Sequence, residues 1–223
     1  MKIQITLCLI FAITFFSMGC ISPNNPDVIT NADTPVFEMT SDLFEEIGEN
    51  AGLKTVRFYT NDTLYWSQHG YTVWTVWGNE NAPFVERTVL MSKPKGYAAA
   101  CYGFVICQGR RIIDGKETDT MLTVMINNEG RYALGKVIGG RYEALFDLTS
   151  SPHLNSGAGA PNTVQVKFDG ELFLLYFNGT LERSFSDTIE PVHISGRDGY
   201  IVVIAPSDRF PEGEVDIYFT EQR

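Results

Sequence analysis

Three tryptophans and two tyrosines crowd one short span: Tyr65, Trp66, Tyr71, Trp74 and Trp77. Exposed faces of such rings stack on pyranose sugars while their polar edges stay hydrated, and packed inward the same rings build a core. On a strand that starts at Tyr71, alternation groups Trp77 with Tyr71 and Val73 and turns Trp74 the other way, so at least one indole faces the core. Arg131, Tyr132 and Tyr142 flank Gly139-Gly140 and form a second patch with the same two readings. Asn155, Ser156, Gly157, Gly159 and Asn162 make a polar loop suited to ligand contact or to turning the chain. The candidate ligand-binding residues are therefore Trp66, Trp77, Tyr102, Arg131, Tyr132, Tyr142 and Asn155.

Other chemistries find less support. Ser156-Gly157-Ala158-Gly159 lacks the elbow pattern that exposes a serine nucleophile, and His69, His153 and His193 stand in unrelated contexts. No His and Cys spacing suits zinc. Asp114, Glu117 and Asp119, with Gly115 in an expected loop, offer oxygen ligands for calcium or form a solvated turn. No catalytic residue and no cofactor is assigned, with calcium left open.

The elements that must position these residues read mostly as strands. Thr163 to Phe168 and Glu214 to Thr220 each alternate apolar and polar side chains, which gives one buried face. Asp169-Gly170, Asn178-Gly179, Gly139-Gly140 and Asn128-Glu129-Gly130 supply the positive φ angles of tight hairpins. A single short helix is expected at residues 41 to 50, capped by Ser41 or Asp42, with Leu43, Phe44 and Ile47 as its apolar stripe. Ala98 to Cys107 is apolar on both faces, so this strand should be central, its second face covered by that helix, a loop or a ligand. Met121 and Met125 share the non-core face of the neighbouring strand, and that surface is the first place to look for a site. Cys101 and Cys107 are too far apart on one strand to bridge, so both are expected as core thiols on one face. About a dozen strands without intervening helices imply an all-β, antiparallel two-sheet sandwich.

At the N-terminus a basic start (Lys2) leads into an apolar run from Ile3 to Phe16 and then Ser17-Met18-Gly19-Cys20. The run is too short to span a bilayer and resembles an export signal. Its last four residues resemble a bacterial lipobox, which implies processing before Cys20, acylation of Cys20 and attachment to the cell envelope, facing the periplasm or the exterior. Residues 20 to 36, rich in Pro, Asn and Asp, read as a tether, and 37 to 223 as one domain. The net charge of −10 disfavours nucleic acid as a partner.

From Phe84 to Phe219 the motifs Tyr102-Gly103-Phe104-Val105, Gly130-Arg131-Tyr132, Ser151-Pro152 with Asn155 and Asn162, Leu175 to Gly179, Gly196 to Tyr200 and Val215 to Phe219 follow in order. This succession resembles the concanavalin A-like lectin/glucanase superfamily, in particular its laminin-G-like and 3-keto-disaccharide hydrolase-like modules. The resemblance implies a curved jelly-roll sandwich whose members bind glycans on a concave face, cleave them, or bind proteins or calcium at loop edges. Its glucanase members carry Glu-x-Asp-x-x-Glu on a strand, with the carboxylates about 5 Å apart for hydrolysis with retention. Here Glu214-Val215-Asp216 begins such a motif, and Phe219, or Tyr218 where the strand has no bulge, occupies the acid/base position. The expected function is thus non-catalytic binding, carbohydrate first, with a glycoside-processing enzyme or a protein-interaction module as alternatives.

Overall fold

The structure is a computed structural model that describes residues 37–39, 43–50, 53–61, 71–186, 194–204 and 214–222. These residues form two facing seven-stranded sheets. The first runs in the order β1 (Phe37–Met39), β4 (Tyr71–Trp77), β13 (Arg197–Ile204), β6 (Tyr102–Ile113), β7 (Lys116–Ile126), β8 (Arg131–Ile138) and β9 (Arg141–Ser150). The second runs β12 (Thr180–Phe185), β11 (Phe173–Phe177), β10 (Asn162–Phe168), β5 (Glu86–Lys95), β14 (Val215–Gln222), β3 (Leu53–Thr60) and β2 (Phe44–Asn50). All pairings are antiparallel except that of β1 with β4.

Alternation explains the layering. Val164 and Val166 on β10, Ile217 and Phe219 on β14, and Phe104 and Val124 on the first sheet point inward and form one apolar core between the sheets. The hairpin signals act as expected: Asn178 and Gly179 have φ of 49° and 82°, and Gly139 and Gly140 have 56° and 79°, the positive pair that a two-residue turn between twisted strands requires.

Two expectations are corrected. The stretch expected as a helix is β2, paired with β3 through a bulge between Glu46 and Gly48. Two turns of helix are marginal in isolation, whereas the open edge of β3 satisfies a full ladder of backbone groups and lets Phe44 pack on Phe58 at 5.0 Å. Ile47, assigned to the apolar stripe, is 46% exposed. The two cysteines also separate. Cys101 belongs to a cluster on the outer face of the first sheet and Cys107 to the inter-sheet core. Cys107 has φ of 56° within a bulge opposite β13, and one extra residue in a strand reverses the alternation. Cys107 is a thiol, so the pair is not bridged; Cys101, expected as a second core thiol, is instead disulfide-bonded.

Candidate functional site

Trp77 ends β4 at the margin of the sandwich, pointing toward the core side yet 42% exposed. Its ring lies 4.9 Å from that of Tyr200, and the Arg87 guanidinium sits 5.0 Å from it, on the protein side. Arg87 reaches from the second sheet across the interior and is only 6% exposed. Its Nη1 donates to the carbonyls of Val105 (3.0 Å) and Gly199 (2.7 Å), which face each other beside the bulge between β6 and β13. Its Nη2 donates to Glu221 Oε1 at 2.6 Å, and the Tyr200 hydroxyl donates to the same oxygen at 2.5 Å. A buried cation is tolerable here because a carboxylate and two carbonyls replace its hydration.

Asp198 stands directly across from Trp77 in the ladder. Burial holds its carboxyl above the ordinary carboxylate range, against the pull of Arg87 and with the charge of Glu221 adding to the shift. Its Oδ1 is buried and has no partner. Arg197 closes the rim, donating to Gln108 Oε1 at 2.7 Å and lying 3.3 Å from Glu80. This corner therefore combines a partly open indole face, a buried carboxyl whose pKa is raised, and a carboxylate paired with arginine.

The outer face of the first sheet is different in kind. Ladder register aligns Trp74, Ile201, Gly103, Met125 and Ala133 in one transverse row, and Val76, Gly199, Val105, Thr123 and Gly135 in the next. Val105 is 0% and Met125 3% exposed, yet the described members of this cluster all come from the first sheet and the residue flanking it. The glycines keep the face low: a Cβ on Gly103 would lie 1.9 Å from the Val124 carbonyl oxygen, and one on Gly135 would meet the Tyr142 ring. Tyr142 thus lies across Gly135, and burial raises its pKa. Trp74 Nε1 and Arg131 Nε are buried there without a hydrogen-bond partner.

Sequence-predicted residues fall on both sides of the first sheet. Tyr102 and Tyr132 are wholly buried between the sheets, Tyr102 bonded to Asn128 and Tyr132 accepting from Arg183 Nε at 3.0 Å, which removes both from any open face. The reason is phase: their neighbours Gly103 and Ala133 occupy the outward positions. Arg131 and Tyr142 belong to the outer face. Asn155 is exposed in the loop before β10, where Asn162 accepts its backbone N–H and its side chain donates to Pro161, so its role there is to pin the loop. Trp66 and Cys20 lie outside the described residues. Asp216 and Glu214 sit on the outer face of the second sheet, gripped by Arg57 (2.8 Å) and Lys95 (2.8 Å), while Phe219 stacks in the core on Tyr200. Asp114-Gly115 is a two-residue hairpin turn, and no group of three or more metal-ligating side chains occurs among the described residues. Sequence reading passed over Arg87, whose signal was legible: it shares the inward phase of β5 with Val89 and Met91, where a charge demands a partner.

No protein-family model matches the sequence, and no curated protein matches it. Solved structures do share the fold. A glycoside hydrolase family 16 endo-glucanase from Bacteroides ovatus is 7% identical with a TM-score of 0.54, covering 82% of this chain and 86% of that one. The β-glucanase of Bacillus licheniformis is 9% identical with a TM-score of 0.52, covering 87% and 88%. The laminarinase catalytic domain from Thermotoga maritima, in complex with cetyltrimethylammonium bromide, is 10% identical with a TM-score of 0.50, covering 84% and 82%. The chain has the concanavalin A-like jelly-roll fold, and at these identities the likeness speaks for the fold alone.

Proposed function

We propose that this protein binds carbohydrate without cleaving it, at the Trp77 corner of its jelly roll, and is held at the cell envelope by lipid on Cys20. The carrying observation is the open indole of Trp77, backed by the Arg87 cation and edged by Asp198 and the Arg197–Glu80 pair. A flat apolar ring beside fixed donors and acceptors matches a sugar, whose faces are apolar and whose rim is hydroxyl. The fold shared with glucanases supports a glycan as the ligand class. Against hydrolysis by the superfamily route stands the engagement of Glu214 and Asp216 in ion pairs on the opposite, solvated face. Trp77→Ala should weaken glycan binding by about 1 to 3 kcal/mol with little loss of melting temperature. Unchanged affinity on a glycan array would remove the corner from consideration. Cys20→Ser should release the protein from the membrane fraction or leave it unprocessed, and continued acylation would refute the anchor.

One observation favours a second reading, a glycoside-processing enzyme: the corner holds two carboxyl groups in different settings, Asp198, whose pKa burial raises, and Glu221, which accepts from Arg87. Polysaccharide turnover that is abolished by Asp198→Asn, with binding retained, would establish this reading over the first.

A further inference from the structure

We propose that the glycan taken at the Trp77 corner is anionic, with a uronic acid whose carboxylate pairs with Arg111. The inference rests on the carbohydrate reading of that corner and narrows its ligand class. Arg111 is half-buried at the end of β6 and is held in place by neutral groups. Its Nη2 donates to the Ser195 carbonyl at 2.7 Å and its Nη1 to the Arg110 carbonyl at 2.9 Å, which fixes the plane of the guanidinium. Gly109 is the bed on which that group lies, since a Cβ there would stand 2.8 Å from Arg111 Nη1. The neighbouring arginines are each neutralised, Arg87 by Glu221, Arg110 by Glu117 and Arg197 by Glu80, whereas Arg111 makes no ion pair among the described residues. Its Nε is buried without a partner. Carbonyls orient a guanidinium and leave its charge unspent, and each Nη keeps a second N–H for a planar carboxylate.

Phase and register bring this cation to the Trp77 side. Gly109 stands opposite Thr120, which shares the inward phase of Leu122 and Val124, so Arg111, two residues on, leaves β6 from the same face. Trp77 shares that face with Val73, and Asp198 shares it with Tyr200 and Val202. β13 alone separates β4 from β6, and Gly109 lies one residue past Gln108, the partner of Arg197. At the usual strand spacing and rise, Trp77 and Gly109 are then about 12 Å apart. That span suits a disaccharide, one ring stacked on Trp77 and the carboxylate of its neighbour at Arg111. Asp198, on the strand between, leaves the Arg111 charge free, because Arg87 is the cation that pulls on its carboxyl.

The test measures dissociation constants of the full chain for galacturonate, mannuronate and guluronate hexasaccharides, each beside its carboxyl-reduced, neutral counterpart, at low and high salt. At least one acidic hexasaccharide should bind about tenfold tighter than its neutral form, with the advantage shrinking as salt rises. Trp77→Ala should weaken both forms, whereas Arg111→Gln should abolish the advantage of the acidic one. Gly109→Ala, which displaces the guanidinium, should reduce that advantage several-fold and keeps the outcome decisive if Arg111→Gln fails to fold. Neutral forms that bind through Trp77 as tightly as the acidic ones would overturn the anionic assignment and leave the Trp77 reading standing. An advantage that survives in Arg111→Gln would overturn it too. A panel on which no hexasaccharide binds would also sink this inference, while the glycan array with Trp77→Ala decides the broader reading separately.

Discussion

The two outer faces of this sandwich are made from the same element type and end in opposite conditions. On the second sheet, outward positions carry Arg57, Asp216, Tyr218, Thr220, Gln165 and Lys167, and they satisfy one another across strands: Arg57 grips Asp216 through two bonds, Thr55 meets Thr220, and Gln165 donates to Glu86 and Thr88. On the first sheet, outward positions carry Val105, Met121, Met125, Ile201 and Val203, and two donors there remain unpaired. A solvated face is complete with two layers, whereas an apolar face demands a third layer, whether protein or ligand. The contrast separates a surface that only has to be soluble from one that is built to be covered.

The sharpest way to break this contrast is to place a charge on each face. Val105→Asp, at a position with no exposure, should cost about 3 to 5 kcal/mol in denaturant unfolding, because the carboxylate has no cation within the cluster. Thr163→Asp on the second sheet should stay within about 1 kcal/mol. Equal costs would mean that the first sheet's face is wet and the contrast false.

A second effect, of comparable size, is read through pH. Lys93 lies buried at the end of β5, its Nζ donating to the carbonyls of Tyr97 (2.8 Å) and Ala100 (2.5 Å), the turn that delivers the chain to Cys101 and the apolar face. Burial pushes its pKa down from 10.5 to about 7. The unfolded chain therefore binds the extra proton across that interval. Stability should fall as pH drops from 10.5 toward 7, with a slope of at most about 1.4 kcal/mol per pH unit, and level off below. Lys93→Met should remove this component of the slope, and an identical pH profile in the variant would refute the assignment.

The smallest effect belongs to the polar face. Arg57→Ala should lower the melting temperature modestly, by less at high salt, and a double-mutant cycle with Asp216→Asn should show positive coupling. Salt-insensitive coupling would show that the pair is sequestered from solvent and that the second face is less open than its composition implies.

Much of the architecture was legible because strands announce themselves in two independent ways, through period-two patterning and through turn chemistry. Asn178-Gly179 and Gly139-Gly140 turn where their φ preferences require. The double-sided apolarity of Ala98 to Cys107 matches the burial of Phe104 and Ile106 on one face of the first sheet and of Val105, Met121 and Met125 on the other. The site residues were less legible. Tyr102 and Tyr132 missed the open face by one position, since patterning in a strand that is apolar on both sides carries no phase information. The helix expected over residues 41 to 50 failed because local propensity cannot register the unpaired edge of β3.

By itself, then, the order of residues determined the turns and the chemical character of most strands, because these depend on neighbours along the chain. Only the tertiary structure decided which face each aromatic occupies and how Arg87, Asp198 and Glu221, from three strands and two sheets, meet beside Trp77. A single bulge at Cys107 exchanges inside for outside along β6, and contact between residues 134 positions apart depends on sheet registry that no local pattern encodes.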